Sequence, residues 1–489
     1  MRECLRRPVL STVLVLAVTL SVVAPAADAP RAGFPDTPAG RRVAAFFAAY
    51  LSGTEESLAA FFSGAIGPEA LKQRTATERA RRIVAMRGQL GDVEVRRVDA
   101  PSAEQLVVVT EGPEKRLDKW AFSFGPPPDA FLLGIGVDDA DESDLAGPPP
   151  PLTEAQALAQ IAKAADEAAA ADRFSGVVLV ARDGKPLLHR AWGLANREHA
   201  VPNRADTKFN LGSINKLFTK IAIGQLAETG RLSLDDTIGK HLPSYPNAEA
   251  AQKVTIRQLL DMQSGIGDFF GEEFDATPKD RLRRNADFLP LFAGKPLLFP
   301  PGTDRRYSNG GYVVLGEIVA KASGRDYHDY VRENVYARAG MTDADSFEAD
   351  VPAPNLAEGY SRIRGFGERT EGPRRRNVYT RPARGSAAGG GYATAPDLLR
   401  FATALLGDRL LSAPFTEWIV ARTEPAAGKP VGDRRRGGLG VAGGAPGINA
   451  ALEVDRETGL VLVVLANDDP PAAETLAKKA RRLLDAIRR

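Results

Sequence analysis

The chain of 489 residues has very little cysteine and histidine, and its charges nearly cancel. Cys4 is the one cysteine, so the chain beyond it has no disulfide, thiolate metal site or cysteine nucleophile. The histidines show no metal-ligand spacing, and we expect surface or hairpin positions for all of them, namely His189, His199, His241 and His328. For the protein as a whole we expect neither a metal nor an organic cofactor. With 64 Lys and Arg against 62 Asp and Glu, the charge does not favour nucleic acid as a partner.

Long apolar runs are also scarce, and the one clear example lies near the N-terminus. Three arginines, at positions 2, 6 and 7, precede an apolar run over 9–24, and Ala27-Asp28-Ala29 follows it. This order predicts a signal peptide over 1–29 and therefore an exported protein, periplasmic or extracellular. The alternative is an uncleaved anchor, but the run is short for a spanning helix and Pro25 follows it. We expect no stable membrane anchor after cleavage.

The rest of the chain divides into two predicted domains joined by a linker. Residues 34–139 show helical spacing of apolar residues first and strand alternation later, as at 120–124. This order predicts a small α+β domain, which resembles the cone-shaped NTF2-like modules. Residues 140–152 are acidic and then proline-rich, and they are predicted to be an extended linker.

Residues 153–489 are predicted to form the second domain. A helix is expected from Thr153 to about residue 171, hairpins over 175–194 and 450–465, and a last helix over 472–487. Strands from both ends of this domain can pair into one sheet, while the helical material between them forms a separate layer. The predicted fold class is therefore α/β (α+β), with an antiparallel sheet flanked by helices and an all-helical layer.

A serine and a lysine stand at the start of a predicted buried helix. Ser213 and Lys216 are three residues apart, so they share a face, and an apolar run over 217–226 follows them. Serine needs a base to become a good nucleophile, and lysine is a base only when neutral. Burial and the positive end of the helix dipole both disfavour its charge. Alone, this spacing is a weak signal, because it occurs by chance.

A second polar group lies in the segment 299–309. Tyr307 and Asn309 flank one residue on a turn before a helix over 312–322, so both side chains could point into one cleft. A phenol near an amine can share its proton, and an amide can hold both a lysine and a substrate carbonyl. The alternative interpretation is a polar turn that only caps the helix.

With both groups in this order, the domain resembles the serine β-lactamase/penicillin-binding-protein superfamily. It is most similar to the branch of class C β-lactamases, D-alanyl-D-alanine carboxypeptidases and related esterases. The resemblance covers about residues 153–489 and includes further segments, namely 174–177, 230–236, 255–265, 389–394 and 443–447.

The resemblance implies a role for each polar residue. Ser213 would be the acylated nucleophile and Lys216 its base, Tyr307 the proton relay, and Asn309 the residue that orients the lysine and the substrate. The oxyanion hole would be the backbone N–H groups of Ser213 and Gly444.

The third motif of the family is altered. Where the family has Lys-Thr-Gly or His-x-Gly to hold a substrate carboxylate, this chain has the substrate-binding candidates Val441, Ala442 and Gly443. Neither cation nor hydroxyl remains, unless a loop arginine such as Arg436 replaces them. Such a loss costs on the order of 1.5–3 kcal/mol.

The sequence therefore predicts an exported serine hydrolase that works through an acyl-enzyme on Ser213. Its partner would be a small ester, amide or lactam, or a peptidoglycan-type peptide, with no nucleic acid involved. Val441 favours esterase or peptidase-like activity over efficient β-lactamase activity. The alternative is a catalytically silent binder of cell-wall peptides or of a partner protein, which would use the same cleft.

Overall fold

The computed structural model describes residues 33–487 except 127, 128, 141, 148, 364–369, 371 and 421–437. The predicted signal peptide and the candidate Arg436 lie outside the described residues. Within them, no helix has the length and the apolar composition to span a membrane.

The first part of the chain contains four helices and then four strands. The helices are α1 (Pro38–Ser52), α2 (Glu55–Ala65), α3 (Pro68–Gln73) and α4 (Ala76–Leu90). The strands are β1 (Glu94–Ser102), β2 (Gln105–Glu111), β3 (Leu117–Phe124) and β4 (Leu132–Asp139), paired in that order as an antiparallel meander. The order of helices before strands is as predicted, although the sequence did not predict α2 and α3. The similarity to NTF2-like modules stays a prediction.

An aromatic cluster forms the core of this first part. The indole of Trp120 on β3 is fully buried and lies 5.4 Å from the ring of Phe47 and 5.3 Å from that of Tyr50, both on α1. Its Nε1 donates to Thr110 Oγ1 at 2.9 Å. The apolar face of α1 thus packs on the sheet around a tryptophan whose one polar group is satisfied.

The predicted linker differs from an extended chain at its start. Glu142–Leu145 form a short helix, α5. Lys119 on β3 pairs with Asp144 at 3.2 Å, and Arg97 on β1 donates to the Leu145 carbonyl at 3.1 Å. These contacts hold residues 142–145 against the strands, which explains the difference. The proposed domain boundaries themselves stay a prediction.

The second part of the chain begins with α6 (Glu154–Ala170), whose N-cap Thr153 forms a capping box with Gln156. The remaining helices are α7 (Asn215–Glu228), α8 (Ile238–His241), α9 (Ala248–Lys253), α10 (Ile256–Leu260), α11 (Glu272–Ala276), α12 (Asn285–Phe288), α13 (Asn309–Ser323), α14 (Tyr327–Val331), α15 (Ala337–Ala339), α16 (Ala395–Leu406), α17 (Ala413–Val420) and α18 (Ala472–Asp485). The strands are β5 (Gly176–Arg182), β6 (Lys185–Trp192), β7 (Leu194–Asn196), β8 (Val201–Pro202), β9 (Phe209–Asn210), β10 (Tyr360–Ser361), β11 (Arg375–Arg376), β12 (Tyr392–Ala393), β13 (Gly438–Ala445), β14 (Ile448–Asp455) and β15 (Leu460–Ala466).

The central sheet joins strands from both ends of this second part. Its five strands follow the order β13-β14-β15-β5-β6, all antiparallel, with Val463 of β15 opposite Leu179 of β5. β15 is buried along its whole length. One face packs on α6 and α18 through residues such as Ile161 and Leu476. The predicted pairing and the predicted fold class are confirmed.

The other face of the sheet lies on the helical layer. The core here includes Phe218 of α7, Val314 of α13 and Phe401 of α16, all fully buried. Since nearly every residue of α7 is buried, polar side chains at its start are held within a dry environment. This placement sets the conditions for the site described next.

Candidate active site

Ser213 lies in a tight turn that leads into α7. Gly212–Ile214 form a 3₁₀ turn, Gly212 has a φ of +50°, and its N–H donates to Asn210 Oδ1 at 3.0 Å. The edge strand β13 approaches this turn closely, because a Cβ on Gly443 would lie only 2.0 Å from the Leu211 carbonyl oxygen. Only glycine at position 443 allows this approach. The Ser213 backbone is thus held between α7 and β13.

Lys216 lies one turn beyond Ser213 and is buried. Its Nζ lies 3.1 Å from Ser213 Oγ, 2.7 Å from Asn309 Oδ1, and within hydrogen-bond distance of the Ala388 carbonyl oxygen. Burial lowers the pKa of Lys216 to about 7, although the charge of Asp268 acts in the opposite direction. A neutral amine has two N–H donors and one lone pair. Since Asn309 Oδ1 and Ala388 O can only accept, the lone pair is directed to Ser213.

Tyr307 approaches the same serine from the other side. Its hydroxyl lies 2.6 Å from Ser213 Oγ, and its ring centroid lies 4.7 Å from Lys216 Nζ. The residue is 54% exposed, so one side of the ring faces solvent. Desolvation of the phenol raises the pKa of Tyr307 above its ordinary value of about 10, so the hydroxyl is protonated at neutral pH, as in a free phenol. The tyrosine can therefore donate to Ser213 while Ser213 donates to Lys216.

Asn309 is the first residue of α13, after the N-cap Ser308. Its Nδ2 donates to Asp268 Oδ2 at 2.7 Å, and its backbone N–H donates to the same oxygen at 3.2 Å. This carboxylate fixes the amide so that Oδ1 faces Lys216. Asp268 was not predicted from the sequence, because no spacing rule connects it to residues 213–216 or 307–309.

The glycine-rich segment 385–391 supplies backbone groups to the site. The Ala388 carbonyl accepts from Lys216, and the Ser386 carbonyl accepts from Asn215 Nδ2 at 2.9 Å. The sequence had marked 389–394 only as part of the resemblance, without a role. His328 is buried, not at the predicted surface or hairpin position, because its Nε2 contacts the Gly385 carbonyl oxygen at 2.8 Å.

The expected oxyanion donors lie side by side. A Cβ on Gly212 would lie 2.9 Å from the Gly444 backbone nitrogen, so this N–H is close to the turn that holds Ser213. Asn449, opposite Gly444 across the strand pair, donates from Nδ2 to the Gly443 carbonyl at 3.1 Å. Ser213 and Gly444 both line the same cavity.

The three residues of the altered third motif all lie on β13, but their surroundings differ from one another. Val441 is partly buried and packs against the helical core. Ala442 and Gly444 line the cavity that contains Ser213, whereas Gly443 makes the close approach to Leu211. No cationic side chain of the described part of β13 reaches this cavity.

The cavity around Ser213, called here the Ser213 cavity, has a volume of about 370 Å³. Its walls are largely apolar, and the residues that line it include the aromatic residues Phe269, Phe270, Phe288, Phe347 and Tyr392. Tyr307 and Asn309 line it together with Ser213. Three of the four polar residues selected from the sequence therefore line one apolar cavity, as does Gly444, and Lys216 contacts Ser213 and Asn309 from its buried position.

Comparison with known proteins identifies the family. The family model described as Beta-lactamase matches residues 160–486, which is more than half of the chain. The chain belongs to this family, whose members are serine hydrolases. The match includes all four polar residues and β13, but it leaves out the first part of the chain.

Individual relatives agree with this assignment. Penicillin-binding protein 4* of Bacillus subtilis (strain 168) is 35% identical over 173 residues, which cover 35% of this chain and 38% of that protein. A penicillin-binding protein structure from Bacillus halodurans is 31% identical, with a TM-score of 0.58, over 67% of this chain and 98% of that chain. A D-amino acid amidase from Ochrobactrum anthropi SV3 shares the fold, with 23% identity and a TM-score of 0.56, over 68% and 97% of the two chains. The chain spans roughly 32 to 56% of the length of the curated relatives compared.

Proposed function

We propose that the protein is an exported serine hydrolase that cleaves an ester, amide or lactam through an acyl-enzyme on Ser213. One observation carries the proposal: Lys216 Nζ contacts two pure acceptors, Asn309 Oδ1 and Ala388 O, and lies 3.1 Å from Ser213 Oγ, so that in its neutral form the lone pair is left for Ser213. A lysine whose pKa is lowered to about 7 by burial can hold that lone pair at neutral pH.

The acylation step follows from these contacts. Ser213 gives its proton to Lys216 Nζ while Oγ attacks the substrate carbonyl carbon. The carbonyl oxygen becomes an oxyanion and accepts from the N–H groups of Ser213 and Gly444. As the tetrahedral intermediate collapses, the bond to the leaving group breaks, and the leaving group takes the proton of Tyr307. Tyr307 then recovers a proton from Lys216, whose Nζ lies 4.7 Å from the Tyr307 ring centroid.

Deacylation uses the same groups, with water as the nucleophile and Ser213 Oγ as the leaving group. A water molecule gives a proton to the Tyr307–Lys216 pair and attacks the acyl carbon, and Ser213 Oγ leaves with a proton from that pair. The products are a carboxylic acid and free enzyme. Asp268 acts through Asn309, which it orients toward Lys216.

The cavity walls support a preference within this class. The aromatic side chains that line the Ser213 cavity suit an apolar acyl group. Since Val441 and Ala442 supply neither cation nor hydroxyl, we rank ester or D-amino-acid amide and peptide hydrolysis above efficient β-lactam hydrolysis. Export rests on the signal peptide predicted over 1–29.

The test is the intact mass of the mature protein after treatment with a fluorophosphonate. We expect one covalent adduct on the wild type and none on Ser213→Ala. Ser412→Ala is the control, because Ser412 is exposed and does not line the cavity; it should still form the adduct. A folded wild type that forms no adduct and hydrolyses no activated ester would favour the silent binder, for which the altered third motif is the supporting observation.

A further inference from the structure

Arg381 is the one arginine or lysine among the described residues that line the Ser213 cavity. It follows the turn Asn377–Tyr379, whose buried residue Asn377 donates from Nδ2 to the Pro446 carbonyl at 2.9 Å. The Arg381 N–H donates to the Asn377 carbonyl at 3.2 Å. The backbone that carries this guanidinium is therefore attached to the turn between β13 and β14, next to the strand where the family cation is missing.

The guanidinium of Arg381 has no acidic partner among the residues that the structure describes, whereas Arg374, Arg376 and Arg384 each have one. Arg374 pairs with Asp468 at 2.9 Å, and Arg376 pairs with Glu358 at 2.9 Å. Arg384 donates to the Ser346 carbonyl at 2.9 Å. An arginine that is partly buried and borders an apolar cavity usually has a carboxylate or a carbonyl to bind. Among the residues that the structure describes, no such carboxylate or carbonyl binds the Arg381 guanidinium.

The other ionised side chain on the cavity wall does not fill this role. Glu474 lies on the first turn of α18, and it accepts from Asn449 Nδ2 at 3.1 Å. No ion pair joins Glu474 to Arg381 within the described residues.

We propose that Arg381 binds an anionic group of the substrate, such as a carboxylate, and so replaces the cation that Val441 leaves out of the third motif. The inference rests on the proposed function and narrows its substrate class to acyl donors that carry a negative charge. The planar guanidinium can hold a carboxylate through two parallel hydrogen bonds. Such a charge-assisted contact changes kcat/KM by about 10- to 100-fold.

The test uses two para-nitrophenyl esters of equal size, the monoester of adipic acid and its neutral adipamide counterpart. The measured quantity is the preference, which is kcat/KM for the anionic ester divided by kcat/KM for the neutral one. We expect the wild type to prefer the anionic ester and Arg381→Gln to lower that preference about 10- to 100-fold. Arg381→Glu should prefer a third ester, with a trimethylammonium group, over the anionic one.

Arg375→Gln is the matched control, because Arg375 is exposed, lies in the same segment and does not line the cavity. It should keep the wild-type preference. The inference is overturned if the wild type does not prefer the anionic ester, or if Arg375→Gln and Arg381→Gln change the preference equally. If the folded wild type hydrolyses none of the esters and forms no fluorophosphonate adduct, the proposed function itself fails. An adduct together with hydrolysis of the neutral ester alone overturns only the role of Arg381.

Discussion

Asp268 holds Asn309 by two donors at once, because one carboxylate oxygen accepts from the side-chain amide at 2.7 Å and from the backbone N–H at 3.2 Å. Its other oxygen accepts from the Phe270 N–H at 3.1 Å. An amide can rotate to exchange its oxygen and nitrogen, and this clamp selects the orientation in which Asn309 Oδ1 accepts from Lys216. Asp268 thus fixes the acceptor that Asn309 presents to Lys216, although Asp268 makes no hydrogen bond with the lysine itself.

Asp268→Asn tests this relationship. Asparagine has one acceptor oxygen where Asp268 uses two, so either Asn309 or Phe270 loses its acceptor, and a loss of about 1–2 kcal/mol is expected. That loss corresponds to a decrease in kcat/KM of about 5- to 30-fold. The Asp268 charge raises the pKa of Lys216, so its removal lowers that pKa further. The acid limb of the pH–rate profile should therefore move to lower pH.

Asp304→Asn provides the control for this measurement. Asp304 is exposed and lies just before Tyr307, so the variant removes a charge near the site without touching Asn309. Its pH–rate profile should match that of the wild type. An unchanged acid limb in Asp268→Asn would contradict the positioning role.

The pH dependence of the wild type follows from Lys216. The amine acts as a base only when neutral, and its pKa is lowered to about 7. For ester hydrolysis, kcat/KM should rise with pH through about 7 and then level off. Lys216→Arg keeps a permanent positive charge and should lose about 10²- to 10⁴-fold in activity.

Lys220→Arg is the comparison for Lys216→Arg. Lys220 lies one turn further along α7, where its Nζ is 4.6 Å from the Trp418 ring centroid, and it does not line the Ser213 cavity. This variant should keep the wild-type pH–rate profile. A profile that stays flat through neutral pH in the wild type would argue against a lysine base.

The sequence was sufficient to predict the fold class and to select the four polar residues that the structure brings together. The β-rich segments at both ends of the second part of the chain have alternating apolar residues and turn residues, which are local features of the sequence. Their pairing into one sheet was predicted correctly. Ser213 and Lys216 are three residues apart on one helix, so their proximity follows from helical geometry. Tyr307 and Asn309 could be selected because the family resemblance joined two motifs that are distant in sequence.

Other parts of the site depend on tertiary contacts without a local signal. Asp268 reaches Asn309 across 41 residues, and Ala388 reaches Lys216 across 172 residues through a backbone carbonyl that any residue type could supply. The burial of His328 depends on its contact with Gly385. The short helix α5 was missed because its contacts reach distant strands, where Asp144 pairs with Lys119 and the Leu145 carbonyl accepts from Arg97. Sequence patterns do not specify such contacts.

Tyr307→Phe tests the proton relay. The variant keeps the ring near Lys216 but removes the hydroxyl that lies 2.6 Å from Ser213 Oγ. Hydrolysis of an activated ester should fall about 10²- to 10³-fold, since proton transfer by a positioned side chain contributes rates of that order. Tyr312→Phe is the matched control, because its ring also lies near Lys216, at 5.6 Å, while its hydroxyl makes only a 3.4 Å contact with the Leu260 carbonyl. That variant should stay within about threefold of the wild type. Equal losses in both variants would refute the relay.

Trp120→Ala tests whether residues 34–139 form a separate folding unit. The indole is fully buried, and its removal leaves a cavity among Phe47 and Tyr50, which should cost about 3–5 kcal/mol. If the proposed domain boundary is correct, calorimetry of the full chain should show one unfolding transition lowered and another unchanged. Ester hydrolysis measured below the lowered transition should equal that of the wild type.

Phe401→Ala, at a fully buried ring 5.0 Å from Phe218, should lower the other transition and reduce activity. A single transition that both variants lower together would show that the two parts unfold as one unit.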